Sequence, residues 1–180
     1  MTNFRGLITM LVKGEIKFIL VGGFAATLHG SARSTLDLDI VYSRERLNME
    51  RLVTALAPYH PYLRGAPPGL PFRFDFATLR NGLNFTLTTG LGDLDLLAEI
   101  AGGGSYDALL PHARQVQVFG MKCLCVNLEQ LIRLKRAAGR DKDISALAEL
   151  EALYEELRAK ALGKTIGPQT GSEESKTKNV

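Results

Sequence analysis

The order of residues predicts an α/β chain with a helical C-terminal segment, and three observations carry that expectation. Strand-length apolar runs (FILV, LDLDIVY, LNFTLT, LDLL, KCLCV) alternate with helical patterns (LITMLV, LVTAL) as far as Val126. A Gly22-Gly23 pair directly follows the first run and opens a short helical stretch. Beyond Val126 the strand pattern gives way to two longer helical stretches. A chain of 180 residues with 46% hydrophobic content can bury one good core.

In chain order, Phe4, Leu7, Ile8, Leu11 and Val12 lie at helical spacing and predict a helix over about 5–12. A strand is expected at 17–21, a helix at 24–29 and a second strand at 36–42. Leu47, Leu52, Val53 and Leu56 mark a helix within 44–57, with Ser43 as its expected cap. Pro58, Pro61, Pro67, Pro68 and Pro71, with Gly65 and Gly69, predict a long loop that could cover a binding pocket. The stretch 72–79 fits strand or helix equally. Strands are expected at 83–88 and 93–97, with a helical turn or two over 105–112. A hairpin around Phe119-Gly120 follows, over 114–118 and 121–126. Asn127 caps a helix over 128–138 that Gly139 stops, and a last helix runs from Asp141 to about Lys160. The expected organisation is a core over 1–126, a helical segment packed on it over 127–162, and a disordered tail over 163–180.

The segment from Phe18 to Tyr42 concentrates the chemistry. A buried strand, a Gly-Gly turn and a helix start point unpaired N–H groups at one place, an arrangement that favours phosphate. On the next strand, Asp37 and Asp39 share a face because side chains at i and i+2 do, roughly 6.6 Å apart along the strand. Two carboxylates beside a phosphate cradle suit Mg²⁺ held against a nucleotide. Taken alone, LDLDI reads more readily as a half-wet antiparallel strand, and the upstream glycines reverse that reading.

This arrangement resembles the nucleotidyltransferase superfamily, whose motif is a strand, Gly followed by Gly or Ser, a helix, and Asp-x-Asp on the next strand. Gly22-Gly23 and Asp37-Leu38-Asp39 stand at those positions. HGSARSTLDLD, with Arg33 and Thr35 ahead of the aspartates, is similar to the small prokaryotic branch of minimal nucleotidyltransferases that includes abortive-infection (AbiEii-like) proteins. The resemblance reaches about Leu150. It implies a nucleotidyltransferase fold, a small mixed β-sheet flanked by helices. Many active members have Ser where this chain has Gly23, which removes a hydroxyl contact to phosphate.

The resemblance also implies a third acidic residue from a neighbouring strand. Asp95, flanked by Leu94, Leu96 and Leu97, is the better candidate, since Asp93 follows the Gly92 turn where Asp commonly makes local hydrogen bonds. Three converging carboxylates would repel one another unless a divalent cation, Mg²⁺ or Mn²⁺, neutralised them. The implied reaction is attack by a hydroxyl on the α-phosphate of a nucleoside triphosphate, with release of pyrophosphate. Asp37, Asp39 and Asp95 are then the expected catalytic and metal-binding residues. Gly22, Gly23, Arg33, Thr35, Lys135 and Lys142 are the expected nucleotide contacts. Lys135, Lys142 and Asp143 also match the branch's C-terminal pattern, and for Asp143 a simple helix cap or dipole partner fits equally well.

Other features narrow the classes. Net charge is +3, and Arg133, Lys135, Arg136, Arg140 and Lys142 form a basic stretch that fits triphosphate, RNA or a solvated helix face. Lys13, Glu15 and Lys17 interrupt the N-terminal apolar stretch, so no membrane span is expected. With no small-residue cleavage site after it, the stretch reads as a structural helix and not a signal peptide. Cys123 and Cys125, at i and i+2, are expected to be unpaired packing residues in a cytoplasmic protein. Gly163-Lys164-Thr165 lacks the upstream glycine of a P-loop, and His29, His60 and His112 show no metal spacing. Two functions stay open. One is nucleotide transfer to a protein, RNA or small-molecule hydroxyl, in a toxin–antitoxin or phage-defence setting. The other is a catalytically silent domain that binds nucleotide, RNA or a partner protein.

Overall fold

The structure, a computed structural model, describes residues 1–67 and 69–163, with the backbone alone for Lys142. Pro68 of the expected loop, and all of the expected tail after Gly163, lie outside the described residues. The elements run α1 (Phe4–Lys13), β1 (Phe18–Leu20), α2 (Gly22–Leu28), β2 (Asp37–Tyr42), α3 (Arg46–Leu56), β3 (Tyr62–Leu63), α4 (Phe76–Asn81), β4 (Asn84–Thr89) and β5 (Gly92–Leu97). They continue with β6 (Glu99–Ile100), β7 (Gly104–Ser105), α5 (Tyr106–Leu109), β8 (Ala113–Val118), β9 (Met121–Val126), α6 (Leu128–Ala138) and α7 (Asp141–Ala161). This is an α/β architecture: a mixed sheet in the order β3-β4-β5-β2-β1-β9-β8, flanked by helices. None of the described helices is long and apolar enough to cross a membrane.

The centre of the sheet places the acidic motif. β2 pairs antiparallel with β1 and parallel with β5. Strand alternation sends Leu38, Ile40, Leu94 and Leu96 to one face, where all four are fully buried. Each contributes about 1.5–3 kcal/mol through burial. A one-residue slip in β2 would carry its aspartates into that core, so the register is strongly specified. The opposite face carries Asp37 and Asp39 on β2 and Asp93 and Asp95 on β5.

Several local expectations are met. Asn127 caps α6 by accepting from the Gln130 N–H at 2.8 Å, and Gly139 ends it in the left-handed conformation, φ +62. The β8–β9 hairpin turns at Phe119-Gly120. Cys123 and Cys125 are buried and free, and burial pushes the Cys125 thiol up to about 12, so it is no nucleophile at neutral pH.

Others are corrected. α2 begins at Gly22, because the turn needs only that one residue in the left-handed region. Ser43 does not cap α3: Glu45 holds the cap position without a side-chain bond, and Ser43 accepts from the Glu45 N–H instead. The ambiguous stretch resolves as α4, started by Asp75, whose carboxylate accepts from the Thr78 N–H at 2.9 Å. The proline-rich segment is not wholly loop. Between its prolines, β3 pairs antiparallel with β4 and forms one edge of the sheet, where proline's missing donor does no harm.

Candidate active site

A cleft of about 1060 Å³ opens between the β2–β5 face, the start of α2 and the α6–α7 pair. Gly22, Gly23, Arg33, Thr35, Asp37, Asp39, Asp95 and Lys135 all line it. Ala26, Leu97, Leu131, Leu134 and Ala138 add apolar wall, so the cleft has charged and greasy parts.

The carboxylates are brought together by strand register. Asp37 stands beside Asp93, and Asp39 beside Asp95, on neighbouring parallel strands. One oxygen from each of Asp37, Asp39 and Asp95 lies within 4.8 Å of the other two. Burial pushes the Asp95 carboxyl above the usual carboxylate range, with Arg64 opposing and Asp37 and Asp93 adding to the shift. Asp93 accepts from the Thr88 hydroxyl at 2.8 Å and stands outside that trio.

The two glycines are required for different reasons. Gly22 has φ +65, and a Cβ there would lie 2.0 Å from an Asp39 carboxylate oxygen, so only glycine lets Asp39 sit against the turn. At Gly23 a Cβ would lie 2.5 Å from the Thr35 hydroxyl oxygen. The missing serine is thus coupled to Thr35, which fills the space that a side chain at 23 would need. The Thr35 hydroxyl in turn donates toward Asp37 at 3.2 Å and so orients that carboxylate.

Arg33 lines the cleft and is also tied to α7. Its guanidinium donates to Ser145 Oγ at 3.0 Å and to Glu149 at 3.2 Å, tying the loop after α2 to α7. Lys135 and Arg140 hold Asp143 from two sides, at 3.1 Å and 2.6 Å. Asp143, 2% exposed, is therefore the buried centre of an ion cluster and not a cap; Arg140 occupies the cap position of α7. Burial raises its carboxyl, but bonds from Arg140 and Lys135 outweigh this and hold it below the usual range. The Lys142 side chain lies outside the described residues. His29 is buried away from the cleft, where its Nε2 donates to the Val126 carbonyl at 2.8 Å and its Nδ1 accepts from Arg114 at 2.9 Å. Burial lowers its pKa, so it is neutral.

Sequence reasoning missed Arg64. Its guanidinium contacts Asp95 and lies 3.5 Å from Asp93 and 3.6 Å from Asp37. The only signal in the sequence was a lone arginine in a segment read as loop.

Residues 93–168, less than half of the chain, match the model of the family described as "nucleotidyl transferase of unknown function" (DUF2204). The matched segment carries Asp95 and both C-terminal helices. No curated protein matches the chain by sequence. Among solved structures, a protein of Thermotoga maritima assigned as a nucleotidyltransferase is 14% identical, covering 86% of this chain and 89% of that one, with a TM-score of 0.46. The antibiotic-resistance factor ANT(2")-Ia in complex with adenylyl-2"-tobramycin is 14% identical, covering 87% and 95%, with a TM-score of 0.49. Its solution structure is 16% identical, covering 89% and 91%, also with a TM-score of 0.49.

Proposed function

We propose that the chain transfers a nucleoside monophosphate from a nucleoside triphosphate to a hydroxyl of a protein, RNA or small molecule, in a metal-dependent reaction. One observation carries this reading: oxygens of Asp37, Asp39 and Asp95 converge within 4.8 Å beside the Gly22-Gly23 turn. Three carboxylates are the hard oxygen donor set that Mg²⁺ or Mn²⁺ takes, so the residues present fit such an ion. When bound, it supplies charge neutralisation and Lewis acidity at phosphate oxygens.

The chain's own residues perform the rest. Gly22 and Gly23 allow the triphosphate close to backbone N–H donors, and the absence of side chains there keeps that approach open. Lys135 stands in the same cleft as a point charge for phosphate, backed by Asp143. Asp95, the third member of the trio, would assist the attacking hydroxyl as metal ligand or base. The apolar wall of Leu97, Leu131 and Leu134 offers a surface for the base or the acceptor.

A second reading is favoured by Arg64, which already stands among the carboxylates, and by Gly23 in place of serine. On that reading the domain binds nucleotide, RNA or a partner protein without chemistry. Each labelled triphosphate is incubated with the protein, Mn²⁺ or Mg²⁺ and cell extract, and melting is followed in parallel. The transfer reading expects label on an acceptor and a raised melting temperature, since ligands of the native state stabilise it. A raised melting temperature without label supports a silent nucleotide-binding domain, and no shift at millimolar nucleotide and metal rejects the nucleotide site on either reading. The similarity of HGSARSTLDLD to the abortive-infection branch supports a toxin–antitoxin or phage-defence setting. Expression of the chain with and without its gene neighbour, read as growth arrest and rescue, tests that setting.

A further inference from the structure

The four aspartates belong to rows that cross the sheet. Asp37 pairs with Asp93, Asp93 with Thr88, and Thr88 with Tyr62. Asp39 pairs with Asp95, and Asp95 with Thr86. Arg64 ends this second row, its N–H donating to the Thr86 carbonyl at 2.9 Å. Residues opposite one another in a ladder share a face, so the row Arg64–Thr86–Asp95–Asp39 lies on the acidic side of the sheet. Thr86 is small enough for the guanidinium to reach over it to Asp95. The position of Arg64 thus follows from the register of β3 on β4, not from a chance loop conformation.

A guanidinium and a divalent cation compete for the negative charge of the same carboxylates. Asp37 and Asp95 are shared between the Arg64 contacts and the convergent trio. A guanidinium and a divalent ion a few ångströms apart also repel in a partly buried site. Arg64 sits at the sheet edge, 27% exposed, just before Gly65, where a Cβ would meet nothing within 4 Å. Its backbone is anchored by the bond to Thr86, while its side chain is partly open to solvent. Asp93, 3.5 Å away and outside the trio, can keep the guanidinium once Asp95 is released.

Resting on the nucleotidyltransferase reading above, we propose that Arg64 is the resident counter-ion of the carboxylate site and exchanges with the divalent cation. It neutralises Asp37 and Asp95 in cation-free protein and withdraws to Asp93 when the cation binds. Arg64 therefore sets the cation concentration at which the site loads. It is a positioning residue and takes no part in bond making.

The test is Mn²⁺ binding in the absence of nucleotide, followed by electron paramagnetic resonance of the free ion, with thermal melting of the same samples. Arg64→Gln is expected to bind Mn²⁺ about tenfold more tightly than wild type, since a repelling charge is gone. It should melt lower without metal, with the deficit closed as Mn²⁺ is added. Arg64→Lys, which keeps the charge but loses the planar fork, should fall between the two. Asp93→Asn removes the place to which the guanidinium withdraws and should bind Mn²⁺ more weakly than wild type. Wild type that binds Mn²⁺ while folded Arg64→Gln binds it no more tightly overturns the exchange and leaves the functional reading standing. Should Arg64→Gln fail to fold, unchanged affinity in both Arg64→Lys and Asp93→Asn overturns it equally. If wild type binds no Mn²⁺ even with a triphosphate present, the metal-dependent reading falls and the exchange with it.

Discussion

On the sheet side of the cleft, Asp37, Asp93 and Asp95 gather around one guanidinium, that of Arg64, with Asp39 beside them; on the helix side, Lys135 and Arg140 gather around one carboxylate, that of Asp143. The two clusters line one cavity and carry opposite surpluses of charge. Their burial differs too. Asp143 has both oxygens bonded and almost no exposure, whereas the sheet aspartates remain partly open. A closed cluster with both carboxylate oxygens bonded holds two helices together. An open cluster with excess negative charge is an incomplete set that a further cation can complete. Charge alone would not have told the two roles apart; accessibility does.

The sharpest way to break this comparison is to treat both clusters alike. Asp39→Asn is expected to reduce metal-dependent transfer to background while melting at or above the wild-type temperature, because one of several repelling charges is gone. A labelled-triphosphate assay with a circular-dichroism melt measures both. Unfolding on this substitution would mean that Asp39 is structural.

Asp143→Asn should do the reverse on stability. Removing the shared partner leaves the buried Lys135 amine and Arg140 unmatched, at a cost of about 3–5 kcal/mol. The pH dependence supplies the sign. The Asp143 carboxyl is held low in the folded protein, so its stabilisation is complete above the unfolded value of about 3.9 and is lost as pH falls through the folded value. Urea denaturation from pH 7 to pH 2 should therefore show the gap between wild type and Asp143→Asn closing only at the acid end. A gap constant across that range would place the effect elsewhere.

Lys135→Ala sharpens the comparison on the binding side. If the helix cluster lends its surplus charge to phosphate, triphosphate affinity should fall by about 1.5–3 kcal/mol, the scale of a hydrogen bond to a charged group. Lys160→Ala, which loses only an exposed pair with Glu156, should leave it unchanged. Calorimetric titration with triphosphate and with RNA at two salt concentrations separates a phosphate site from an RNA face, since an RNA face alone would lose salt dependence. The smallest effect is expected for Arg33→Ala. Its pair with Glu149 is half exposed, worth at most about 1 kcal/mol, and nucleotide affinity should not change. A larger loss of affinity than for Lys135→Ala would restore Arg33 to the nucleotide site.

Much of the site was legible in the sequence because its signals are local. A Gly-Gly turn after a buried strand, Asp at i and i+2, Asn before an apolar helix and Gly at its end each act within a few residues. The preference for Asp95 over Asp93 rested on flanking leucines, and the structure puts Asp95 in the convergent trio while Asp93 bonds to Thr88. Arg33 shows the limit of this reasoning. Next to the motif in sequence, it is claimed by Ser145 and Glu149 on α7, partners that no local pattern announces.

What the sequence by itself determined is therefore the inventory: which runs become strands and helices, which residues turn the chain, and which carboxylates share a face of β2. Periodicity and turn chemistry carry that information within a few residues. The tertiary structure alone decided which residues meet. The parallel register of β2 on β5 brings Asp39 beside Asp95, and the short β3 hidden among prolines carries Arg64 into the same row. Packing of α7 on α6 buries Asp143 between Lys135 and Arg140. These are long-range pairings selected by the burial of a whole apolar face, and no segment contains them alone.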